Sequence, residues 1–168
     1  KEKRGPDHLD TLATMADQAH AYFAADQLDQ ALALYEETLE KQKAKLGPDH
    51  PYTLRSMSRL ANAYRDAGKV DQALPLFEQA LEKQKEKLGP DHTVTLYSMD
   101  GLARTYFASG QLSQALALFK ETWEKRKARL GADHHDTLVT ADGLANAYRI
   151  AGRLDQAPPQ PAAVRATS

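Results

Sequence analysis

The chain has no cysteine anywhere in its 168 residues. Disulfides, thiolate metal sites and a cysteine nucleophile are therefore excluded, while the redox compartment stays open. Neither sign of charge dominates. Lys and Arg number 22 against 23 Asp and Glu, a formal net charge of −1, so no global field argues for a nucleic-acid partner. No apolar run approaches the ~20 residues of a membrane span, and no signal-peptide core is present. A membrane partner is not expected, and a cytoplasmic location is. The P-loop, dinucleotide fingerprint, nucleophile elbow and zinc-protease helix are all missing. Carboxylates are plentiful but nothing makes two of them converge, so neither catalysis nor a cofactor is expected. The first residue is Lys1, not Met, which reads as a cut or processed end.

What is present is one unit written almost four times. KLGPDHPYTL at Lys45–Leu54 returns as KLGPDHTVTL at Lys87–Leu96 and as RLGADHHDTL at Arg129–Leu138. Gly5, Gly47, Gly89 and Gly131 are 42 residues apart, as are Tyr22, Tyr64, Tyr106 and Tyr148. Aligning residues 5–46 with 47–88 gives 24 identities in 42 positions, with no insertion. A strict period of this size means stacked supersecondary units. The hydrophobic fraction of 42% suits a folded chain.

Each unit reads as two helices. In the second, Leu54, Met57, Leu60, Ala61 and Tyr64 recur at spacings of 3 and 4. Gly68 then interrupts, as a left-handed helix end requires. A second apolar series follows at Ala73, Leu74, Phe77, Ala80, Leu81 and Leu88, with Asp71 as its N-cap and Pro75 in its first turn. Gly89-Pro90 stops it. The spacing predicts helix A over about 51–67 and helix B over about 71–88. The small residues Ala61, Ala73 and Ala80 let helix axes approach, and Tyr64 and Phe77 fill the space between as core. Gly101 and Gly143 fall inside helix A at a cost of ~1 kcal/mol each. They admit either a ligand backbone or a neighbouring helix.

These residues carry a resemblance. The set Leu60-Ala61…Tyr64…Gly68…Ala73…Phe77…Ala80 resembles the tetratricopeptide repeat signature, and the 42-residue length with an LGPDHP link is similar to the kinesin light chain type. The resemblance covers residues 5–157. It implies an all-α solenoid of about 3.5 repeats, a right-handed superhelix with helices A on its concave face. The units are 5–46, 47–88, 89–130 and a partial fourth at 131–157. It also implies a non-catalytic scaffold that binds a partner protein or an extended peptide in that groove, since the family shares a shape and not a reaction.

By the same resemblance the groove belongs to helix A residues off the apolar stripe: Arg55, Arg59, Asn62 and Arg65 in the second unit, Tyr97, Asp100 and Arg104 in the third, Asn146 and Arg149 in the fourth. Asn62 and Asn146 occupy the position from which family members meet a ligand backbone; His20 and Arg104 replace it elsewhere. Arginines suit an acidic peptide, because guanidinium binds carboxylate bidentately. The first unit carries net −5 and the next two +1 and +2, so no continuous basic stripe runs along the chain.

The ends depart from the pattern. Lys1–Arg4 aligns with the last turn of a helix B, which suggests an excerpt from a longer array. At the other end Pro158, Pro159 and Pro161 replace Leu116, Ala117 and Phe119, so the fourth helix B is missing and 158–168 is expected to be a flexible tail. Helix A of the fourth unit then serves as a cap, with Leu144 and Tyr148 short of a partner. Exposed ends of repeat arrays associate, so a homo-oligomer is the alternative purpose.

The repeated Asp-His pairs raise a metal site. Equivalent points of stacked units lie on the order of 10 Å apart, whereas zinc holds its nitrogen and oxygen ligands at ~2.0–2.2 Å. Four such histidines cannot share one ion. The pairs are punctuation: Asp caps the incoming helix A and His packs or hydrogen-bonds across the link.

Overall fold

The computed structural model describes residues 9–158. The Asp7/His8 pair, the segment 1–4 and most of the Pro-rich tail lie outside them. The chain divides into two compact units at Pro90.

The first unit is two helical hairpins. Helix α1 (Leu9–Ala24) folds on α2 (Leu28–Leu46), and α3 (Pro51–Asp66) on α4 (Val70–Leu88). Helix α2 also packs on α3, and α1 meets α3. No Cα of α2 comes within 8 Å of one in α4. The stripe of α3 is buried as its spacing requires, Leu54, Met57, Leu60 and Ala61 all being inaccessible. Around it gather Ala19, Ala31, Leu32, Tyr35, Leu39 and Ala80. Each fully buried leucine contributes about 1.5–3 kcal/mol relative to exposure, so the seam between the hairpins holds the unit together. Tyr64 packs against this core but is only half-buried. Its hydroxyl leaves the core and donates to Glu36 Oε1 at 2.6 Å.

The second unit comprises α5 (Thr93–Ala108), α6 (Leu112–Leu130) and α7 (His135–Ile150), followed by a 3₁₀ turn, Leu154–Gln156. Helix α6 packs on both α5 and α7, and the turn lies on α7. Ala103, Ala115, Phe119, Leu144, Ala147 and Tyr148 form its core, with Ala157 packed against them. Leu144 and Tyr148, expected to be short of a partner, are instead buried, at 1% and 8% exposure, while Ile150 of the same helix is 56% exposed. No α-helix follows α7 among the described residues.

The helix ends bear out one expectation and correct two. Helix α3 closes in a Schellman turn, Lys69 N–H bonding the Tyr64 carbonyl and Gly68 N–H that of Arg65, with Gly68 at φ +74°. Helix α1 closes in the same turn with Asp26 at φ +58°, the one non-glycine residue at positive φ among those described. Helix α4 begins at Val70 after Lys69, which offers no side-chain cap, so Asp71 sits inside the first turn rather than at the N-cap. There its carboxylate still faces the positive end of the helix dipole. Pro75 accordingly lies in the second turn, inside the helix, and not in the first.

The link also reads differently. The residue that caps helix A is the histidine. Nδ1 of His50, His92 and His134 accepts from the backbone N–H two residues on, at 3.2, 3.2 and 3.1 Å. The aspartate before it turns to helix B of its own hairpin instead. Asp49 faces Lys83 at 4.0 Å and Asp91 faces Lys125 at 2.5 Å.

The helix A faces as a candidate functional site

In the first unit the expected residues lie along α3 at intervals of four, three and three. Arg59 reaches to α1, its Nη1 3.5 Å from both the Ala16 carbonyl and Asp17 Oδ1. Asn62 is buried, at 7% exposure. Its Nδ2 donates to the Ser58 carbonyl at 3.2 Å and its Oδ1 accepts from Arg65 Nη1 at 2.5 Å. Arg65 is also forked onto Asp66, with Nε and Nη2 at 2.8 and 2.7 Å. Arg55 lies 5.6 Å from the ring centre of Tyr52, which is 50% exposed. Among the described residues Arg55 has no carboxylate partner. At the asparagine position of α1, His20 Nδ1 stands 3.3 Å from Tyr35 Oη. Desolvation of its ring, and then the charge of Arg59, hold His20 below its ordinary value, with Asp17 opposing them.

The second unit departs further from the expectation. Tyr97 is exposed on α5 at the position Arg55 holds on α3. Asp100 is not on the open face but buried, at 7% exposure. Its Oδ2 accepts from Arg104 Nε at 2.7 Å and its Oδ1 from Thr140 Oγ1 at 2.8 Å. Arg104 also donates to the Val139 carbonyl at 2.8 Å and lies over Phe119. Both residues therefore bind α5 to α7. Asn146 and Arg149 are exposed on α7 and bond to each other at 2.7 Å, the geometry of Asn62 and Arg65 with solvent admitted.

One residue at the centre of this network escaped the sequence reading. Arg126 of α6, 5% exposed, donates from Nη1 to the Asp136 carbonyl at 2.8 Å and to Thr140 Oγ1 at 2.6 Å. The same nitrogen lies 3.6 Å from Asp100 Oδ1, and Nη2 is 3.4 Å from the Leu96 carbonyl. A buried guanidinium survives only when its donors and charge are matched. The signal was in the repeat. Gln42, Gln84 and Arg126 share one position, and it continues the buried series Ala73, Phe77, Ala80 at a spacing of four. In the first unit Gln84 Nε2 donates to the Leu54 carbonyl and to Ser58 Oγ, at 3.0 and 2.9 Å. Ser58 stands where Asp100 does. Ser/Gln and Asp/Arg are thus neutral and ionic solutions of one contact.

Gly143 settles its own alternative. A Cβ there would stand 2.8 and 2.9 Å from Cε1 and Cζ of Phe119, so the glycine admits a neighbouring helix.

Comparison with known proteins agrees with this fold. The tetratricopeptide repeat model matches residues 11–86 and again 58–128, more than half of the chain. The crystal structure of a kinesin light chain protein of Podosopora anserina with nearly identical TPR-like repeats is 32% identical, over 93% of this chain and 74% of that one, with a TM-score of 0.73. A single-residue variant of it gives 0.75. BtubC of P. vanneervenii is 19% identical with a TM-score of 0.79, covering 94% of this chain and 62% of its own. The Sgt2 TPR domain of Aspergillus fumigatus is 18% identical at 0.62, covering 90% and 85%. These last two speak for the fold alone. No curated protein matches the sequence. No described helix is long and apolar enough to cross a membrane.

Proposed function

The chain belongs to the tetratricopeptide repeat family, of the kinesin light chain type, and on that footing we propose that it is a protein-interaction scaffold whose helix A faces hold an extended acidic peptide of a partner. Proteins of this family are generally non-catalytic scaffolds. The observation that carries the ligand's chemistry is Arg55. It has no carboxylate partner among the described residues, and it lies over the exposed ring of Tyr52. A cation already resting on an aromatic face gives a peptide carboxylate a prepared contact, with apolar surface beside it. Arg59 stands one turn further on. Its present carboxylate, Asp17, is long at 3.5 Å and mostly exposed, so an incoming acid replaces it at little cost.

The roles within the candidate set then divide. The contacts we assign to ligand are Arg55 and Arg59 on the first unit taken by itself, and Tyr97, Asn146 and Arg149 on the second taken by itself. Asn146, exposed, takes the ligand-backbone role in preference to Asn62, whose amide is engaged at both ends within α3. Asp100 and Arg104 hold the A helices in place, and Arg65 with its fork on Asp66 orients Asn62. The homo-oligomer reading rests on exposed ends of the array, and the burial of Leu144 and Tyr148 takes those two residues out of it.

The test is a peptide array probed with the wild-type chain and with the Arg55→Ala/Arg59→Ala variant. Losing two charge-assisted contacts should weaken acidic spots by roughly tenfold or more, with thermal melts within a few degrees of each other. The same array profile from both proteins refutes the reading.

A further inference from the structure

The helix B side of the first unit carries a surface that the arginine face does not use. Between α2 and α4, where the two backbones stay apart, lies a cleft of about 730 Å³. Its floor is apolar: Leu39 and Leu60, both buried, with Leu76 and Tyr64 beside them. Its rim carries Glu36, Glu40 and Asp71 against one cation, Lys43, which is bonded to Glu40 at 3.1 Å. Tyr64 donates to Glu36 at 2.6 Å and fixes that carboxylate over the floor. Burial, followed by the hydrogen bond and charge of Glu36, pushes the phenol up to about 12, so the hydroxyl stays a donor throughout the physiological range.

A second feature points the same way. Pro75 lines this cleft, and it stands inside α4 where the other B helices carry Ala33 and Ala117. Proline has no N–H, so the carbonyl of Asp71, four residues earlier, lacks its helical donor. Asp71 lines the cleft as well. A carbonyl without its donor beside a carboxylate is an acceptor pair for an ammonium or guanidinium group. The acids are particular to these repeats, since α6 has Lys120 and Ser113 at the positions of Glu36 and Asp71.

We propose that this cleft is a second docking site, for a segment of another protein in which a large apolar side chain is flanked by Lys or Arg. The apolar residue covers Leu39, Leu60 and Leu76, and the flanking cations meet Glu36 at one end and Asp71 at the other. Its chemistry is opposite to that of the peptide assigned to the arginine face, so a scaffold with both surfaces holds two partners of opposite charge.

The test is fluorescence anisotropy with two short fluorescein-labelled peptides, one with a Lys-Leu-Leu-Arg centre and one with Glu-Leu-Leu-Glu. The basic peptide should bind and weaken with salt, and the acidic one should not enter the cleft. Glu36→Gln and Asp71→Asn should each lower its affinity about threefold to tenfold. Glu82→Gln, an exposed carboxylate of α4 outside the cleft, should change nothing. Pro75→Ala separates recognition from folding: it returns a donor to the Asp71 carbonyl and improves the helix, yet should weaken the peptide about threefold. Sedimentation velocity on the unlabelled chain adds the last outcome. No binding of the basic peptide, equal binding by Glu36→Gln and Asp71→Asn, or self-association that those two variants abolish overturns the proposal. The arginine-face reading survives each of these results, because its probe carries the opposite charge.

Discussion

Replacing Asp100 by alanine should be among the most damaging single changes in the second unit, and the structure says how damaging. Asp100 and Arg126 keep only 10% and 6% of their side chains exposed. Removing the carboxylate leaves the Arg126 guanidinium desolvated beside Thr140, with its charge unmatched. Breaking a buried pair in this way costs about 3–5 kcal/mol. The reverse change, Arg126→Gln, is milder, because Asp100 keeps Arg104 at 2.7 Å and the Thr140 hydroxyl. A loss of about 1–3 kcal/mol is expected, that of a hydrogen-bonded group left partly unmatched. The double variant Asp100→Ser/Arg126→Gln installs the Ser58/Gln84 pair of the first unit and should recover stability to within about 1 kcal/mol of wild type. Urea unfolding followed by circular dichroism of wild type, Asp100→Ser, Arg126→Gln and the double variant gives four free energies and one coupling energy. Coupling of at least about 2 kcal/mol is expected. Additive losses, or a double variant worse than Asp100→Ala, would refute the view that the two repeats carry interchangeable solutions of one contact.

Three further changes test the joints of the fold. Gly143→Ala gains about 1 kcal/mol of helix propensity but drives a methyl into the Phe119 ring, and overpacking of about 1–3 kcal/mol should win; a higher melting temperature would contradict the close approach. His92→Ala removes the acceptor for Val94 N–H and should cost about 0.5–1 kcal/mol, which His92→Asn restores; equal losses from both would show that the ring matters for packing rather than capping. His20 supplies the pH dependence. Burial and Arg59 favour its neutral ring in the folded state, so the unfolded chain binds the proton more readily. Stability is therefore present above the ordinary histidine value of 6.5 and falls as pH drops below it. His20→Asn should flatten the melting temperature between about pH 7 and 5, and an unchanged slope would exclude the residue as its source.

How much of this was legible depended on whether the repeat averaged a feature or broke it. Helix A was expected over 51–67 and runs Pro51–Asp66; helix B was expected over 71–88 and runs Val70–Leu88. Both rest on period and on glycine, which act locally and recur in every copy. The caps were misread for a local reason too. Asp outranks His as an N-cap by propensity, but here the histidine takes the cap position and the aspartate is drawn to a lysine of helix B. Nothing within the link itself announces that partner, 34 residues away in the sequence for both Asp49/Lys83 and Asp91/Lys125.

The candidate site was harder for a more general reason. Facing solvent on a helical wheel and facing a ligand are separate properties, and a polar residue on the A face has a third choice, to bind the next A helix. Arg59, Asp100 and Arg104 all take that choice to some degree. What decides it is the residue that helix B sends underneath. With Gln84 below, Ser58 suffices and the arginines of α3 stay near the surface. With Arg126 below, an acid is needed at 100, and that acid then recruits Arg104 inward. Residue 126 thus determines, from the far side of the hairpin, which side chains its A face leaves free for a partner. A reading of helix A alone could not have found this, whereas the register of Gln42, Gln84 and Arg126 on the buried stripe of helix B contains it.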